Sequence, residues 1–138
     1  MNEHHETLRI ETRRGLNTIT RAVEGVVARA GVRNGLCTVF IRHTSASLVI
    51  QENADPAVCQ DLEAFLGRLV PDGDPRHTHT TEGPDDMPAH VKSALTRTSE
   101  SIPVVGGRIA LGTWQGLYVW EHRAGRHERD VLVQIIGD

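Results

Sequence analysis

The sequence predicts an α+β fold, a compact β-sandwich-like domain of about seven or eight strands with three helices. Short runs rich in β-branched residues, separated by glycine-containing turns, indicate the strands, and three segments with apolar residues at helical spacing indicate the helices. A chain of 138 residues with 38% hydrophobic residues can form one core. We therefore expect a single domain over residues 1–138, with the polar residues 1–6 as a flexible tail.

The first half of the chain begins with a predicted strand, at Thr7–Thr12, in which polar and apolar residues alternate. Thr20 is placed to cap a helix over residues 20–30, and Gly31 is placed to end it. Two runs rich in β-branched residues then predict strands at Leu36–His43 and Leu48–Glu52. Only a short polar link separates these two strands, so they are expected to be adjacent.

The second half opens with a helix signal, Asp55 as cap and Pro56 at the first helical position. This helix should stop by Pro71. The next stretch, from Val70 to Asp86, has almost no apolar residues and predicts a loop of about 16 residues, a length that usually serves a function. A third helix is expected from Pro88 to about Thr96. Four short strands complete the chain, at Ile102–Val105, Arg108–Leu111, Leu117–Glu121 and Val131–Ile136.

Charge and hydropathy exclude two classes of partner. The formal charge of −3 provides no basic field for a phosphate backbone, so nucleic acid is not an expected partner. No stretch is long and apolar enough to cross a bilayer, and the N-terminal residues carry no secretion signal, so no membrane contact is expected. Cys37 and Cys59 lack metal-binding or redox spacing. The expectation is a cytoplasmic protein with reduced thiols.

Histidine is unusually frequent: the chain has eight, against two Phe, two Trp and one Tyr. His4 and His5 lie in the predicted tail and His127 lies in a predicted turn, so these three are expected to be solvated. Five histidines remain as candidates for a site: His43, His77, His79, His90 and His122.

The segment from Asp74 to His90 combines histidines with carboxylates, the N and O ligands that a divalent ion needs. Neutral imidazole favours zinc or another transition metal over magnesium. The spacing matches no strict zinc motif, so a metal site and a solvated acidic loop remain alternatives. Glu52 at a strand end and the glycine-bracketed turn with Trp114 and Gln115 favour a site, because a core has little use for such side chains there.

Five blocks spread over nearly the whole chain carry a resemblance to a known family: His43–Leu48, Glu52–Pro56, His79–Lys92, Leu111–Gly116 and Glu121–Arg123. In this order and at this spacing they resemble the YjbQ family, whose members are described as secondary thiamine-phosphate synthases. The resemblance implies a β-sandwich-like α+β fold that assembles as a homotrimer, with a site near the subunit interface.

By position, the resemblance also implies a metal site and a set of carboxylates. His43, His79 and His90 match the family's histidines and are the implied ligands of a divalent metal, zinc or magnesium, whereas His77 does not match. Four acidic residues match as well: Glu52, Glu82, Asp85 and Asp86. Of these, Glu52, Glu82 and Asp86 are the expected catalytic residues.

One residue departs from the family pattern. Gln51 stands where the family usually has asparagine. On a strand, Gln51 points to the face opposite Glu52, so the change is expected to leave the site intact.

The implied reaction joins a hydroxymethylpyrimidine diphosphate to a thiazole phosphate and releases pyrophosphate, so the expected substrates are small molecules. This chemistry needs charge neutralisation on the leaving group and a pocket that orients two flat rings. Glu52 or Asp86 would orient a water molecule or the aminopyrimidine. Four further residues are the expected substrate contacts: Trp114, Gln115, His122 and Arg123.

Two alternatives to this reaction remain. Three histidine ligands suit a zinc-activated water better than a magnesium-bound pyrophosphate. A metal-dependent hydrolase of a small phosphorylated or cyclic substrate is therefore the main alternative. A trimer that binds a metal or ligand without catalysis is the third interpretation.

Overall fold

A computed structural model describes residues 1–138, with six strands and three helices. In chain order they are β1 (Asn2–Thr18), α1 (Thr20–Ala30), β2 (Asn34–Ile41), β3 (Ala46–Glu52), α2 (Pro56–Leu69), α3 (Asp86–Leu95), β4 (Ser99–Val105), β5 (Arg108–Ile109) and β6 (Gln115–Gly137). The α+β prediction is confirmed, and all three predicted helices are present.

The six strands form one antiparallel sheet built around β6. β1 pairs with β6 on one side, from Asn2 opposite Gly137 to Thr18 opposite Tyr118. On the other side β6 pairs first with β3, over residues 115–121, and then with β2, over residues 131–137. β4 and β5 extend the sheet beyond β2. A single strand therefore contacts three of the other five.

The strands predicted at Leu117–Glu121 and Val131–Ile136 are parts of this one strand of 23 residues. The glycine-containing sequence between them predicts a turn, but it forms a bulge. β1 pairs Arg13 with Arg126 and then Gly15 with Glu121, so residues 122–125 of β6 have no partner in β1. Gly125 adopts a φ of 82°, the left-handed conformation that such an irregularity needs.

The N-terminal residues form part of the sheet. Residues 2–6 belong to β1 and pair with residues 133–137 of β6, which corrects the expectation of a flexible tail. His4 and His5 each contact a nearby carboxylate on the same strand, Glu6 at 2.7 Å and Glu3 at 2.6 Å. The polar character of this segment reflects a strand at the edge of the sheet, where side chains meet solvent.

The helices pack on the two faces of the sheet. Val23, Val26 and Val27 of α1 join the larger cluster of 18 buried hydrophobic residues. On the opposite face, Leu66 of α2 packs with Val49 of β3 and with two aromatic residues of β6, Tyr118 and Trp120. The two faces alternate along β6, because successive side chains of a strand point to opposite sides. No helix is long and apolar enough to cross a membrane.

Helix α3 begins two residues earlier than the sequence predicts, at Asp86, so Pro88 lies inside its first turn. A side chain of α3 anchors the helix at the start of β3: the Ser93 hydroxyl donates to the carbonyl oxygen of Ala46 at 3.2 Å. The earlier start places Asp86 and His90 four residues apart on one helix, and therefore on the same face.

Candidate metal centre

Three side chains converge beside the first turn of α3. The Asp86 Oδ2 atom lies 2.7 Å from His79 Nε2 and 3.1 Å from His90 Nε2. One ligand atom from each residue lies within 4.8 Å of the other two. α3 supplies two members of the cluster, and the long loop before it supplies His79.

The tautomer of His90 is determined by its second ring nitrogen. His90 Nδ1 lies 2.9 Å from the carbonyl oxygen of Thr44, which can only accept, so Nδ1 carries the proton. In the neutral ring Nε2 then has a lone pair, directed at a carboxylate oxygen 3.1 Å away. Two acceptors face each other unless a proton or a metal ion lies between them. A carbonyl that orients a histidine in this way is common behind metal-bound imidazole.

Asp86 is a buried carboxylate that stays ionised. Burial raises the pKa of its carboxyl group, but the hydrogen bond with His79 and the charges of Arg123 and His90 outweigh this effect, so the pKa lies below its ordinary value. Arg123 Nε contacts Asp86 Oδ1 at 3.2 Å, which leaves Oδ2 for the two histidines. The charged form is the one that a metal ion binds.

These donors fit a divalent metal ion. Two imidazole nitrogens and one carboxylate oxygen form a common catalytic zinc ligand set, which leaves a fourth position open. Ligands bonded to zinc at about 2.0–2.2 Å in a tetrahedron lie roughly 3.4 Å apart. The 3.1 Å contact of Asp86 Oδ2 with His90 Nε2 is near that value, and the 2.7 Å contact with His79 Nε2 would lengthen. His79, Asp86 and His90 would therefore hold such an ion after only a small adjustment.

His43 lies outside this cluster, which contains two of the three predicted histidine ligands together with Asp86. The backbone N–H of Asp130 donates to His43 Nε2 at 2.8 Å, and Arg129 Nη1 lies 3.3 Å from Nδ1. One ring nitrogen is therefore occupied, and a guanidinium faces the other. Burial, followed by the charge of Arg129, lowers the pKa of His43. His43 does line a cavity of about 260 Å³ together with His90.

Glu52, Trp114 and Gln115 lie at the far end of the β3–β6 ladder. Glu52 pairs with Gln115 there, whereas α3 contacts Ala46 at the other end of β3. Six residues of strand separate those two ends, which is about 20 Å. The chain therefore does not bring these three predicted site residues together with the histidine cluster.

The local roles of these three residues differ. The Glu52 carboxylate accepts the backbone N–H groups of Ala54 and Asp55 at 2.8 and 2.7 Å, just before α2. Gln115 Oε1 accepts the N–H of Gly112 at 2.8 Å and closes its turn. Trp114 is 65% exposed and packs on no core cluster.

The bulge in β6 positions the other predicted residues. Arg123 bridges Asp85 and Asp86, with Nε 3.2 Å from each carboxylate, so it orients the acidic residues of the cluster. Arg123 Nη2 also donates to the backbone carbonyl of Glu82 at 2.9 Å. The Glu82 side chain has no hydrogen-bond partner within the chain. Arg123 already has anionic partners, so it is not a free phosphate contact.

His122 is buried, with 1% of its surface exposed, and its predicted contact with substrate does not fit that position. Its Nε2 lies 2.9 Å from the Ser47 hydroxyl, and its Nδ1 is buried without any partner. Burial, with the nearby charge of Lys92, lowers the pKa of His122 to about 3. His122 is therefore a neutral structural residue beside the site.

Sequence reasoning missed a buried ion pair that supports the site. Glu121 and Arg129, 0% and 6% exposed, form a salt bridge across the bulge. Glu121 also accepts from the Thr12 hydroxyl and from the backbone N–H of Arg123. The sequence signal was a charged residue beside each of two apolar runs: Glu121 directly follows Leu117–Trp120, and Arg129 lies two residues before Val131.

The depressed pKa of His122 predicts a loss of stability in acid. In the unfolded chain His122 takes up a proton near pH 6.5, but in the folded protein it does so only near pH 3. As the pH is lowered between these values, protonation of His122 in the unfolded chain alone should reduce the free energy of unfolding by up to about 1.4 kcal/mol per pH unit. We expect His122→Gln to be less stable at pH 8 but to lack that part of the slope, as measured by urea unfolding between pH 8 and 4.

His127→Gln is the matched control, because His127 forms no ion pair and contacts only the backbone carbonyl of Ala124, so the contribution of His122 to the slope should remain. An unchanged slope in His122→Gln would show that His122 becomes protonated in the folded state as readily as in the unfolded chain.

Comparison with known proteins confirms the family resemblance. A family model described as UPF0047 protein YjbQ-like matches residues 4–138. A UPF0047 protein of Synechocystis is 55% identical over 137 residues, which cover 99% of this chain and 93% of that protein. UPF0047 protein YjbQ of Escherichia coli O157:H7 is 39% identical over 98% of this chain and 99% of its own length.

Solved structures have the same fold. A hypothetical protein from Aeropyrum pernix K1 superposes with a TM-score of 0.88 and 31% identity, over 98% of this chain and 99% of that one. A YbjQ-like protein of Sulfolobus solfataricus P2, at 24% identity, superposes with a TM-score of 0.84. Because the family model and these relatives extend over nearly the whole chain, the protein belongs to the YjbQ (UPF0047) family.

Proposed function

We propose that the protein is a divalent-metal-dependent enzyme that acts on a small phosphorylated substrate at the His79–Asp86–His90 cluster. The observation that carries this proposal is the pair of facing acceptors, His90 Nε2 and Asp86 Oδ2, with the histidine tautomer determined by the Thr44 carbonyl. A divalent ion would satisfy both acceptors and would still leave a position for a substrate or water.

The reaction that we propose is that of a thiamine-phosphate synthase, in which the thiazole nitrogen displaces the diphosphate from the hydroxymethyl carbon of the pyrimidine. A bound divalent ion would supply positive charge for the departing pyrophosphate. Around it, Arg123 keeps Asp85 and Asp86 ionised and in place, and Thr44 holds the ring of His90. Glu82 lies exposed on the loop beside the cluster, where a second substrate would approach.

A metal-dependent hydrolase is the second candidate, and the ligand chemistry supports it. Two neutral imidazoles and one carboxylate are typical of zinc sites that activate water, whereas magnesium prefers an all-oxygen environment. Such an enzyme would cleave a small phosphoester or cyclic substrate at the same three residues. The two candidates share the metal and differ in the nucleophile.

We also propose that the chain works as a homotrimer in the cytoplasm. Leu36 and Phe40 of β2 and Ile136 of β6 are exposed by 44%, 44% and 38%, and Leu36 pairs directly with Ile136. Leu36 and Phe40 share one face of the strand, so they form an apolar patch that a second copy could cover. The free thiols Cys37 and Cys59 suit a reducing compartment.

Metal binding is the first test of the site. Protein without a histidine tag, stripped by a chelator, should bind one zinc ion per chain in calorimetry. His90→Ala and Asp86→Asn should weaken that binding at least about tenfold, because each removes a ligand. His77→Ala is the matched control, since His77 lies on the same loop outside the cluster.

His43→Ala should also bind zinc like the wild type. Loss of binding in that variant would restore His43 as a ligand, and wild-type protein that binds no divalent ion would overturn the proposed centre.

Turnover separates the two reactions. Metal-loaded protein should form thiamine phosphate and pyrophosphate from the two precursors, and Asp86→Asn should lose this activity. Wild-type protein should also rescue thiamine-requiring cells, whereas Asp86→Asn should not. If no product forms while a panel of phosphoesters and lactones is hydrolysed, the hydrolase interpretation replaces the synthase. If neither occurs, the protein binds its metal without catalysis.

The assembly can be measured directly. Light scattering coupled to gel filtration should give about three times the chain mass of 15.2 kDa. Phe40→Glu should shift the mass toward the monomer, because it places a charge in the apolar patch. Leu69→Glu changes a more exposed leucine at the end of α2, outside the patch, and should leave the mass unchanged. A monomeric wild type, or the same mass shift in both variants, would contradict this interface.

A further inference from the structure

A second cavity of the protein lies away from the candidate metal centre. It measures about 680 Å³, is open to solvent, and is lined by residues of β1, β3, β6 and α2 and of the link between β3 and α2. None of its lining residues belongs to the His79–Asp86–His90 cluster, and Glu52, which does line it, lies at the opposite end of β3 from α3. Its volume is in the range of about 300–1,000 Å³ that is typical of small-molecule sites.

Three carboxylates line this cavity, and each uses one oxygen to hold the protein together. Glu52 Oε2 accepts two backbone N–H groups before α2, and Asp55 Oδ1 accepts the N–H of Ala57 at 2.9 Å. Glu63 Oε1 accepts the indole N–H of Trp120 at 2.8 Å. The other oxygen of each carboxylate has no donor within the chain: Glu52 Oε1, Asp55 Oδ2 and Glu63 Oε2.

The cavity has little positive charge to balance these groups. Its one cationic lining residue is Arg14. Arg14 Nη1 lies 3.1 Å from Asp72, and Nη2 donates to the carbonyl oxygen of His122. Arg14 is therefore already neutralised. The cavity offers a surplus of charged acceptors, a composition that disfavours phosphates and carboxylates.

The walls between the carboxylates are partly apolar. The rings and aliphatic atoms of Leu16, Pro56 and Tyr118 line the cavity, and Tyr118 donates its hydroxyl to the backbone carbonyl of Glu52 at 2.9 Å. A ligand in this cavity would therefore meet both apolar surface and carboxylate oxygens.

We propose that this cavity binds a small planar ligand that carries a positively charged amidine or amine. An amidinium group donates two parallel N–H groups and matches a carboxylate that has free lone pairs, and such charge-assisted hydrogen bonds are about twice as strong as neutral ones. The inference goes beyond the proposed function, because it requires neither the metal nor the histidine cluster.

Trp120 reports on the cavity from within the protein. Its indole N–H is bonded to Glu63, so a ligand that pairs with Glu63 changes the environment of the indole. The chain has two tryptophans, and Trp114 is exposed in a turn. Trp114→Phe therefore leaves a single tryptophan, which can be excited selectively at about 295 nm.

The test titrates this full-length variant with benzamidine in the presence of a chelator, so that failure of the metal proposal cannot affect the result. We expect saturable quenching or a spectral shift of Trp120, with a Kd below about 1 mM. Adding the substitution Glu63→Gln to the Trp114→Phe variant should weaken benzamidine binding at least tenfold. Asp61→Asn, on the same helix but outside the cavity lining, should leave it unchanged.

Benzoate has the same shape and the opposite charge, so it should not bind. Binding of benzoate as tightly as benzamidine would overturn the proposal, because the cavity would then use Arg14 rather than its carboxylates. Absence of saturable benzamidine binding, or equal affinity in the Glu63→Gln variant, would also overturn it. Calorimetry on the same proteins checks that the optical change reports binding.

Discussion

The buried salt bridge between Glu121 and Arg129 is the interaction on which the candidate site depends. It joins the two sides of the bulge in β6 and, through Thr12, connects them to β1. Glu121 also accepts the N–H of Arg123, which in turn holds the acidic residues at the start of α3. Removal of one partner of such a pair typically costs about 3–5 kcal/mol, because the other charge is left buried and unpaired.

Arg129 extends this support to the other side of the site. Its guanidinium contacts His43 and the carbonyl oxygen of Ser45, in the link between β2 and β3. Thr44 belongs to that link and accepts the proton of His90 Nδ1. The orientation of the His90 ring thus depends on the Glu121–Arg129 salt bridge, although neither of those two residues belongs to the metal-binding cluster. This arrangement is typical of functional sites, where outer contacts orient the groups that bind.

Much of the fold could be predicted from the sequence, because its signals are local. Asp55 caps α2 with Pro56 behind it, and Gly31 ends α1 with a φ of 68°. The continuity of β6 could not be predicted in this way. Gly125 signals a turn in sequence, but whether a left-handed glycine forms a hairpin or a bulge depends on the strand that pairs across it, here β1.

Only part of the candidate site could be predicted from the sequence, because only part of it is local in the chain. The family resemblance implies His79 and His90 as metal ligands and Asp86 as a catalytic carboxylate, and the helical spacing of Asp86 and His90 makes them neighbours. His43 lines a cavity together with His90, but its ring is held by the backbone N–H of Asp130, 87 residues further along the chain. Glu52 and Trp114 were grouped with the histidines, although β3 separates the two ends by its full length. Contacts that close only in the tertiary structure leave no local pattern in the sequence.

The central position of β6 has a consequence for how the protein is made. The strand that completes the sheet is the last to be synthesised, and its partner at the edge, β1, is the first. Until residues 115–137 leave the ribosome, β1 and β3 have no partner in the sheet and β2 lacks one of its two. Such long-range pairing folds slowly and exposes unpaired strand edges while it waits. The nascent chain is therefore most prone to aggregate before β6 is available.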